Sequence, residues 1–196
     1  SLFLVPRGTP GLETRRQEGV HLRNVAVVRL RDCEVSATAL VGPEGAGIEV
    51  LSAVVDRATV ALCAEMLGGM QAAFEMTLDY LKTRRQFGVL IGTFQALKHR
   101  AARMFVEIEL ARSAVMGAGD ALDRDAPDAR ALVSAAKARC SDAGMLVGYE
   151  GVQLHGGIGM TDEHDIGLYL KRAAATELTL GDSAYHRDRF ARLSGF

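Results

Sequence analysis

Apolar residues follow a helical spacing through most of this chain and a different spacing at its start. From about Ile48 onward they recur every three or four positions, which is typical of packed α-helices. The pattern predicts five helices, over about 48–85, 94–122, a third stretch ending near 154, a fourth beginning after 162, and 183–193. Because the links between them are short, consecutive helices are expected to pack antiparallel as an up-and-down four-helix bundle, followed by the short last helix.

The second predicted helix carries the clearest packing stripe. Its apolar residues alternate spacings of three and four, at Phe94, Leu97, Ala101, Met104, Ile108, Ala111 and Val115. Thr93 is the predicted N-cap, because its hydroxyl can accept from a free backbone N–H of the first turn. Gly68 and Gly69 in the first helix each cost roughly 1 kcal/mol relative to alanine, which predicts that another backbone approaches closely there.

The first 46 residues have the pattern of β structure. Val20–Leu22 and Val25–Leu30 are rich in β-branched residues and bounded by turns, and a glycine-rich loop over 42–47 closes the region. The predicted fold class is therefore mainly α, an up-and-down four-helix bundle preceded by a short partial β region. The predicted domains are 1–46 and 47–196.

Composition restricts the classes of partner and the cellular location that are expected for the protein. The 196 residues are 48% hydrophobic, with a net charge of -1 and a pI near 6.5. This charge provides no basic field for nucleic acid or an anionic membrane. The apolar runs are shorter than the ~20 residues that span a bilayer, and residues 1–5 lack the basic start of a signal peptide. Cys33, Cys63 and Cys140 lack disulfide or metal spacing, which predicts free thiols in a reducing cytoplasm.

Two short segments far apart in the sequence carry the candidate chemistry. Arg84–Gly88 (RRQFG) follows the first helix, and Gln153–Thr161 (QLHGGIGMT) follows the third. They offer a cation, an aromatic ring, amide side chains and backbone N–H groups, which can hold the diphosphate and the rings of a dinucleotide. Neither is a G-x-G-x-x-G fingerprint, and each alone also fits a helix end closed by glycine. Asp162–Asp165 lacks the two-histidine spacing of H-E-x-x-H, so no metal site is predicted.

In their order and context, these segments resemble the acyl-CoA dehydrogenase family of flavoproteins, and the resemblance runs along nearly the whole chain. The first follows the pattern Y-x-x-x-R-x-Q-F-G-x-x-I-x-x-x-Q from Tyr80, and the second follows Q-x-x-G-G. The resemblance implies that Arg84 binds the diphosphate of FAD, that Phe87 lies near the adenine side, and that Gln86 makes a polar contact between them. It also implies that Gln153 and Gly157 approach the diphosphate. In such enzymes these residues serve an FAD held mainly by a neighbouring subunit.

The catalytic base is where the sequence departs from the pattern of the family. The family's reaction removes an α-proton and passes a β-hydride to flavin, which requires a carboxylate over the substrate. Leu180 occupies the position of the usual glutamate, and leucine cannot accept a proton. A minority of the family carries the glutamate on the first bundle helix, just before an arginine that contacts CoA. The matching residues are Asp56, as the base, and Arg57, as the substrate-binding residue, although the pair also fits two solvated helix residues.

The resemblance also implies a reaction and partners. It implies α,β-desaturation of an acyl-CoA thioester, as in fatty acid β-oxidation, an electron-transfer flavoprotein-like acceptor, and a homo- or heterotetramer. The family's N-terminal helical domain and the first part of its β domain have no counterpart here, so residues 1–46 match the end of the middle β domain. Two other interpretations stay open. One is a non-catalytic partner subunit, which Leu180 favours, and the other is a structural helical oligomerisation module.

Overall fold

The computed structural model describes residues 1–20 and 24–196. Within them the chain forms two compact units, Ser1–Val55 and Asp56–Phe196, which divide inside the first long helix. Most of the strand predicted at Val20–Leu22 falls outside the described residues. The predicted domain boundary between 46 and 47 stays a prediction.

The first unit contains two small antiparallel sheets. β1 (Leu2–Phe3) pairs with β4 (Leu40–Val41), and β2 (Leu12–Gln17) pairs with β3 (Val25–Leu30). Leu12 lies opposite Leu30 in the second sheet. The β-branched side chains of β3 favour the extended backbone, although most side chains of β2 and β3 are exposed.

Helices make up most of the second unit, and the first of them begins in the first unit. The helices of the described chain are α1 (Gly47–Thr83), α2 (Gln95–Asp123), α3 (Ala129–His155), α4 (Ile166–Leu178) and α5 (Ser183–Leu193). A short hairpin of β5 (Arg85–Gln86) and β6 (Val89–Leu90) connects α1 to α2. Because α3 packs against α2, α4 and α5, it lies at the centre of the bundle. The predicted mainly α bundle with a short β region is confirmed.

The predicted stripe of α2 forms part of the core. Its middle residues are buried, at Ala101, Met104, Ile108, Ala111 and Val115. Full burial of a side chain such as Met104 or Ile108 stabilises the fold by roughly 1.5–3 kcal/mol. The prediction of Thr93 as the N-cap is wrong, because its hydroxyl donates to the Leu90 carbonyl at 2.7 Å and Phe94 occupies the cap position.

The glycine pair of α1 does not mark a close contact within the described chain. A Cβ built at Gly68 or Gly69 would meet no described atom within 4 Å, so the predicted backbone approach is wrong for this chain. The close approach is at α3 instead, where a Cβ at Gly151 would come within 2.9 Å of Cδ1 of Ile166. Glycine at position 151 therefore lets Ile166 of α4 pack directly against α3.

Cys63 and Cys140 are buried free thiols, as predicted, and Cys33 is a half-buried one. Among the described helices, none combines the length and apolar character needed to cross a membrane. Across residues 1–20 and 24–196, no three His, Cys, Asp or Glu side chains form a group that could hold a metal ion.

Candidate functional site

The RRQFG segment forms a tight hairpin immediately after α1. The N–H of Arg84 donates to the Tyr80 carbonyl at 2.9 Å, and the Arg84 carbonyl accepts from the N–H of Ile91 at 2.9 Å. Phe87 and Gly88 form the two-residue turn with φ angles of 51° and 81°. Positive φ at both positions is typical of a type I′ hairpin turn. The backbone of Arg84 is thereby fixed on both sides.

Phe87 has an exposed side chain and a backbone conformation that phenylalanine rarely adopts. Its side chain is 92% exposed, and its ring lies edge-on to that of Phe94, with the centroids 6.1 Å apart. A left-handed φ is unusual for a bulky residue, and strain of this kind concentrates at functional sites. Neither burial nor backbone preference accounts for a phenylalanine here, whereas contact with a ligand or another subunit would.

The second segment ends α3 with a glycine turn. Gly156 has φ 65° and ψ -139°, a conformation nearly restricted to glycine, and its N–H donates to the Gln153 carbonyl. A 3₁₀ turn follows over Gly156–Met160. A Cβ built at Gly157 would meet no described atom within 4 Å, so its backbone is open to a neighbouring group.

Both segments line one cavity of about 590 Å³. Four of the five predicted cofactor residues contribute to it: Arg84, Gln86, Gln153 and Gly157. Phe87 is not part of this lining. The guanidinium of Arg84 and the side-chain amide of Gln153 make no hydrogen bond to any described residue, whereas Nε2 of Gln86 donates to the Arg85 carbonyl at 2.9 Å. The volume is within the ~300–1,000 Å³ typical of small-molecule sites.

His155, interpreted from the sequence as an ordinary hydrogen-bonded residue rather than a ligand, lies in the wall of this cavity. His155 is 2% exposed, and its Nδ1 donates to the Gly151 carbonyl at 2.7 Å. The ring lies 4.6 Å from that of Tyr80 and 4.4 Å from that of His164, measured between centroids. Burial lowers the pKa of His155, so the ring is neutral at pH 7.

Asp56 lies outside the lining of this cavity, in a buried ion network. Its side chain is 4% exposed. Its Oδ1 accepts from Nη2 of Arg189 at 2.7 Å, and its Oδ2 accepts from Nε of Arg130 at 3.1 Å. The alternative of a solvated pair is therefore wrong for Asp56, whereas Arg57 is exposed. The role of Asp56 as a base stays a prediction.

Buried side chains hold the turn that contains Leu180. Nζ of the fully buried Lys137 donates to Oγ of Ser141 at 3.0 Å, to the Glu177 carbonyl at 2.9 Å and to the Gly181 carbonyl at 2.8 Å. Nε2 of His186 donates to the Leu180 carbonyl at 3.0 Å. Leu180 itself has a left-handed φ of 61°. The turn is therefore fixed, although its apolar side chain offers no proton acceptor.

Comparisons with known proteins identify the family of this chain. The family profile described as "Acyl-CoA dehydrogenase, C-terminal domain" matches residues 45–194. The chain therefore belongs to the acyl-CoA dehydrogenase family. It is 32% identical to the probable acyl-CoA dehydrogenase YngJ of Bacillus subtilis, over 98% of this chain and 51% of that protein.

Two solved structures share the fold over nearly the entire chain. One is described as an FAD-dependent dehydrogenase, with a TM-score of 0.94 and 29% identity over 99% of this chain and 53% of its own. The other is from the ChsE4–ChsE5 complex of Mycobacterium tuberculosis, with a TM-score of 0.89 and 29% identity over 99% and 52%. The chain spans about half the length of these relatives.

Proposed function

We propose that this chain supplies one wall of an FAD site in an acyl-CoA dehydrogenase that desaturates an acyl-CoA thioester at its α,β-carbons. In this proposal residues 1–46 are the end of the middle β domain, and residues 47–196 are the C-terminal helical domain. A neighbouring subunit holds the rest of the cofactor. The observation that carries the proposal is the single cavity that joins Arg84 and Gln86 to Gln153 and Gly157.

The chemistry of these residues fits FAD. The unpaired guanidinium of Arg84 can donate two parallel hydrogen bonds to diphosphate oxygens, and the open backbone at Gly157 lets the same group approach. The amides of Gln86 and Gln153 add neutral contacts, and exposed Phe87 can pack against the adenine side. Bound FAD supplies the hydride acceptor. The free buried thiols fit a reducing cytoplasm, and an electron-transfer flavoprotein-like partner would reoxidise the enzyme.

The remaining chemical requirement is a carboxylate that takes the α-proton. We propose Asp56 for this role and Arg57 as a contact to the CoA moiety, because Leu180 has no ionisable group. Removal of a general base costs about 10²–10⁴-fold in rate. Asp56→Asn is therefore expected to slow flavin reduction by acyl-CoA by that factor and to leave FAD bound, whereas Arg57→Ala mainly weakens substrate binding. Reduction at the parent rate would rule out Asp56.

A second candidate function is a non-catalytic subunit of a heteromeric acyl-CoA dehydrogenase. It is favoured by Leu180 at the usual glutamate position and by the engagement of both Asp56 oxygens with arginines. In that case the cofactor contacts stay the same, and the proton acceptor belongs to the partner. A structural helical module would bind no flavin at all.

The test compares flavin content in the native assembly of the full chain. Loss of a charge-assisted hydrogen bond to phosphate should cost roughly 1.5–3 kcal/mol, so Arg84→Ala and Gln153→Ala are expected to lose FAD. Lys82→Ala is the matched control, since Lys82 is an exposed cation close to Arg84 in sequence and outside the lining of the cavity. Equal flavin-to-protein ratios in the parent and all three variants would refute the site.

A further inference from the structure

The cavity contains a second cation that the sequence motifs do not include. Arg100 of α2 lies in the lining of the same cavity as Arg84, with 43% of its side chain exposed. It belongs to neither the RRQFG segment nor the glycine turn of α3. The packing of α2 brings it to the site.

An ion pair orients Arg100. Its Nε lies 3.0 Å from Oε2 of Glu150 on α3, and the Glu150 side chain is 16% exposed. The two atoms are close, but they are not aligned as a hydrogen bond, and Oε2 is buried without another donor among the described residues. This buried carboxylate therefore depends on the charge of Arg100.

The pair leaves most of the guanidinium available. Arginine has five N–H donors, and only the Nε edge faces Glu150. No residue within 1–20 and 24–196 accepts a hydrogen bond from either Nη group. Arg100 thus offers four N–H donors from a side chain whose position is set by a neighbouring helix.

The charges of the cavity wall determine which ligand it suits. Arg84 and Arg100 are the cations of the lining, and none of the described lining residues is an aspartate or glutamate. The ring of His155, which also lines the cavity, is neutral at pH 7, because burial lowers its pKa. The lining presents two guanidinium groups, one of them paired with Glu150, and no carboxylate of its own, which favours an anionic ligand with several acceptor oxygens, such as a diphosphate.

We propose that Arg100, oriented by Glu150, is a second cationic ligand of the dinucleotide diphosphate, in addition to Arg84. This proposal rests on the proposed FAD site and adds a binding residue to it. Arg84 and the free Nη groups of Arg100 would each donate hydrogen bonds to phosphate oxygens. Glu150 acts as a positioning residue, since its carboxylate pairs with Arg100.

The experiment uses equilibrium dialysis to measure the dissociation constant of FAD for the native assembly from which the flavin has been removed. Arg100→Gln is expected to raise this dissociation constant at least about tenfold, which corresponds to ~1.4 kcal/mol. Arg100→Lys should recover part of the loss, because it restores the charge but not the planar fork. The difference in dissociation constant between the parent and Arg100→Gln should become smaller at 1 M NaCl, because the Debye length there is only about 3 Å and charge interactions are screened.

The matched control is Arg139→Gln. Nη1 of Arg139 on α3 lies 2.7 Å from Oε2 of Glu107 on α2, a similar pair between the same two helices with 41% and 24% exposure, outside the lining of the cavity. It is expected to bind FAD like the parent. If Arg100→Gln fails to fold, the double variant Arg100→Gln with Glu150→Gln removes the unpaired buried carboxylate and is measured instead.

The outcomes separate this proposal from the proposed function. Parent-like affinity of Arg100→Gln together with weak binding by Arg84→Ala would overturn the role of Arg100 and leave the FAD site standing. Parent-like affinity of both variants would overturn the FAD site itself. Equal losses in Arg100→Gln and Arg139→Gln would show a general effect of helix packing and would also overturn the role of Arg100.

Discussion

Removal of the Asp56 charge is expected to destabilise the helical unit strongly. Asp56→Asn keeps the size of the side chain but removes the charge that faces Arg130 and Arg189. Arg189 matters more, because its side chain is 14% exposed and that of Arg130 is 54% exposed. Loss of one partner from a buried ion pair costs ~3–5 kcal/mol. Since Arg130 can turn towards water, we expect the lower end, ~3 kcal/mol.

The assay is urea unfolding followed by helical circular dichroism at pH 7. For a chain of this size, a loss of ~3 kcal/mol also predicts a fall in Tm of roughly 6–12 °C. Asp188→Asn is the matched control, because Asp188 pairs with Arg192 at 2.7 Å on the exposed surface of α5, where about two thirds of both side chains are exposed. Exposed pairs contribute at most about 1 kcal/mol.

A loss below ~1 kcal/mol in Asp56→Asn, equal to that of Asp188→Asn, would contradict this account of the network. It would mean that Arg130 and Arg189 find other partners or water at little cost. The same measurement also bears on the proposed base, because a slower flavin reduction by Asp56→Asn is informative only at a temperature where the variant is folded. Stability and rate must therefore be measured on the same preparation.

Three further predictions concern pH, a buried lysine and assembly. Burial lowers the pKa of His186 below its usual 6.5, so its stabilising contribution is present above pH 6.5 and is lost as the pH falls through the folded-state pKa. In urea titrations, His186→Gln should therefore lose less unfolding free energy than the parent between pH 7 and pH 5. Equal losses in the two proteins would contradict this prediction. Lys137→Met removes the donor to the Glu177 and Gly181 carbonyls, so amide exchange over 178–182 should speed up, and an unchanged rate would refute the role of Lys137. Light scattering at micromolar concentration should show dimers or tetramers, with an interface of at least ~2,000 Å², whereas a monomer alone would contradict the shared FAD site.

Local sequence patterns predicted where the helices lie better than they predicted which side chains contact each other. The three- and four-residue spacing of α2 identified Met104 and Ile108 as core residues, because that spacing keeps side chains on one face of any helix. The N-cap of α2 was assigned wrongly, because the hydroxyl of Thr93 bonds to the preceding turn instead. The core positions of α2 and the hydrogen bond of Thr93 both depend on residues only a few positions apart in the sequence.

The sequence predicted only those site residues that belong to a recognisable motif. RRQFG and the glycine turn indicated Arg84 and Gln153, although no local rule places them in one cavity. Arg189 lies 133 positions from Asp56, so their pairing depends on how the helices pack. Arg100 was missed for the same reason. Lys137 was missed because lysine is rarely fully buried, and here three acceptors within reach of its ammonium group offset the cost.

The most direct test of the central claim is hydrogen–deuterium exchange of the native assembly with and without added FAD. The account predicts slower amide exchange on FAD binding in two segments, 84–88 and 153–159, and unchanged exchange in α5. Protection of both segments in the parent, but not in Arg84→Ala, would support a single cofactor wall built from the hairpin and the glycine turn. Identical exchange of these segments with and without FAD would contradict it.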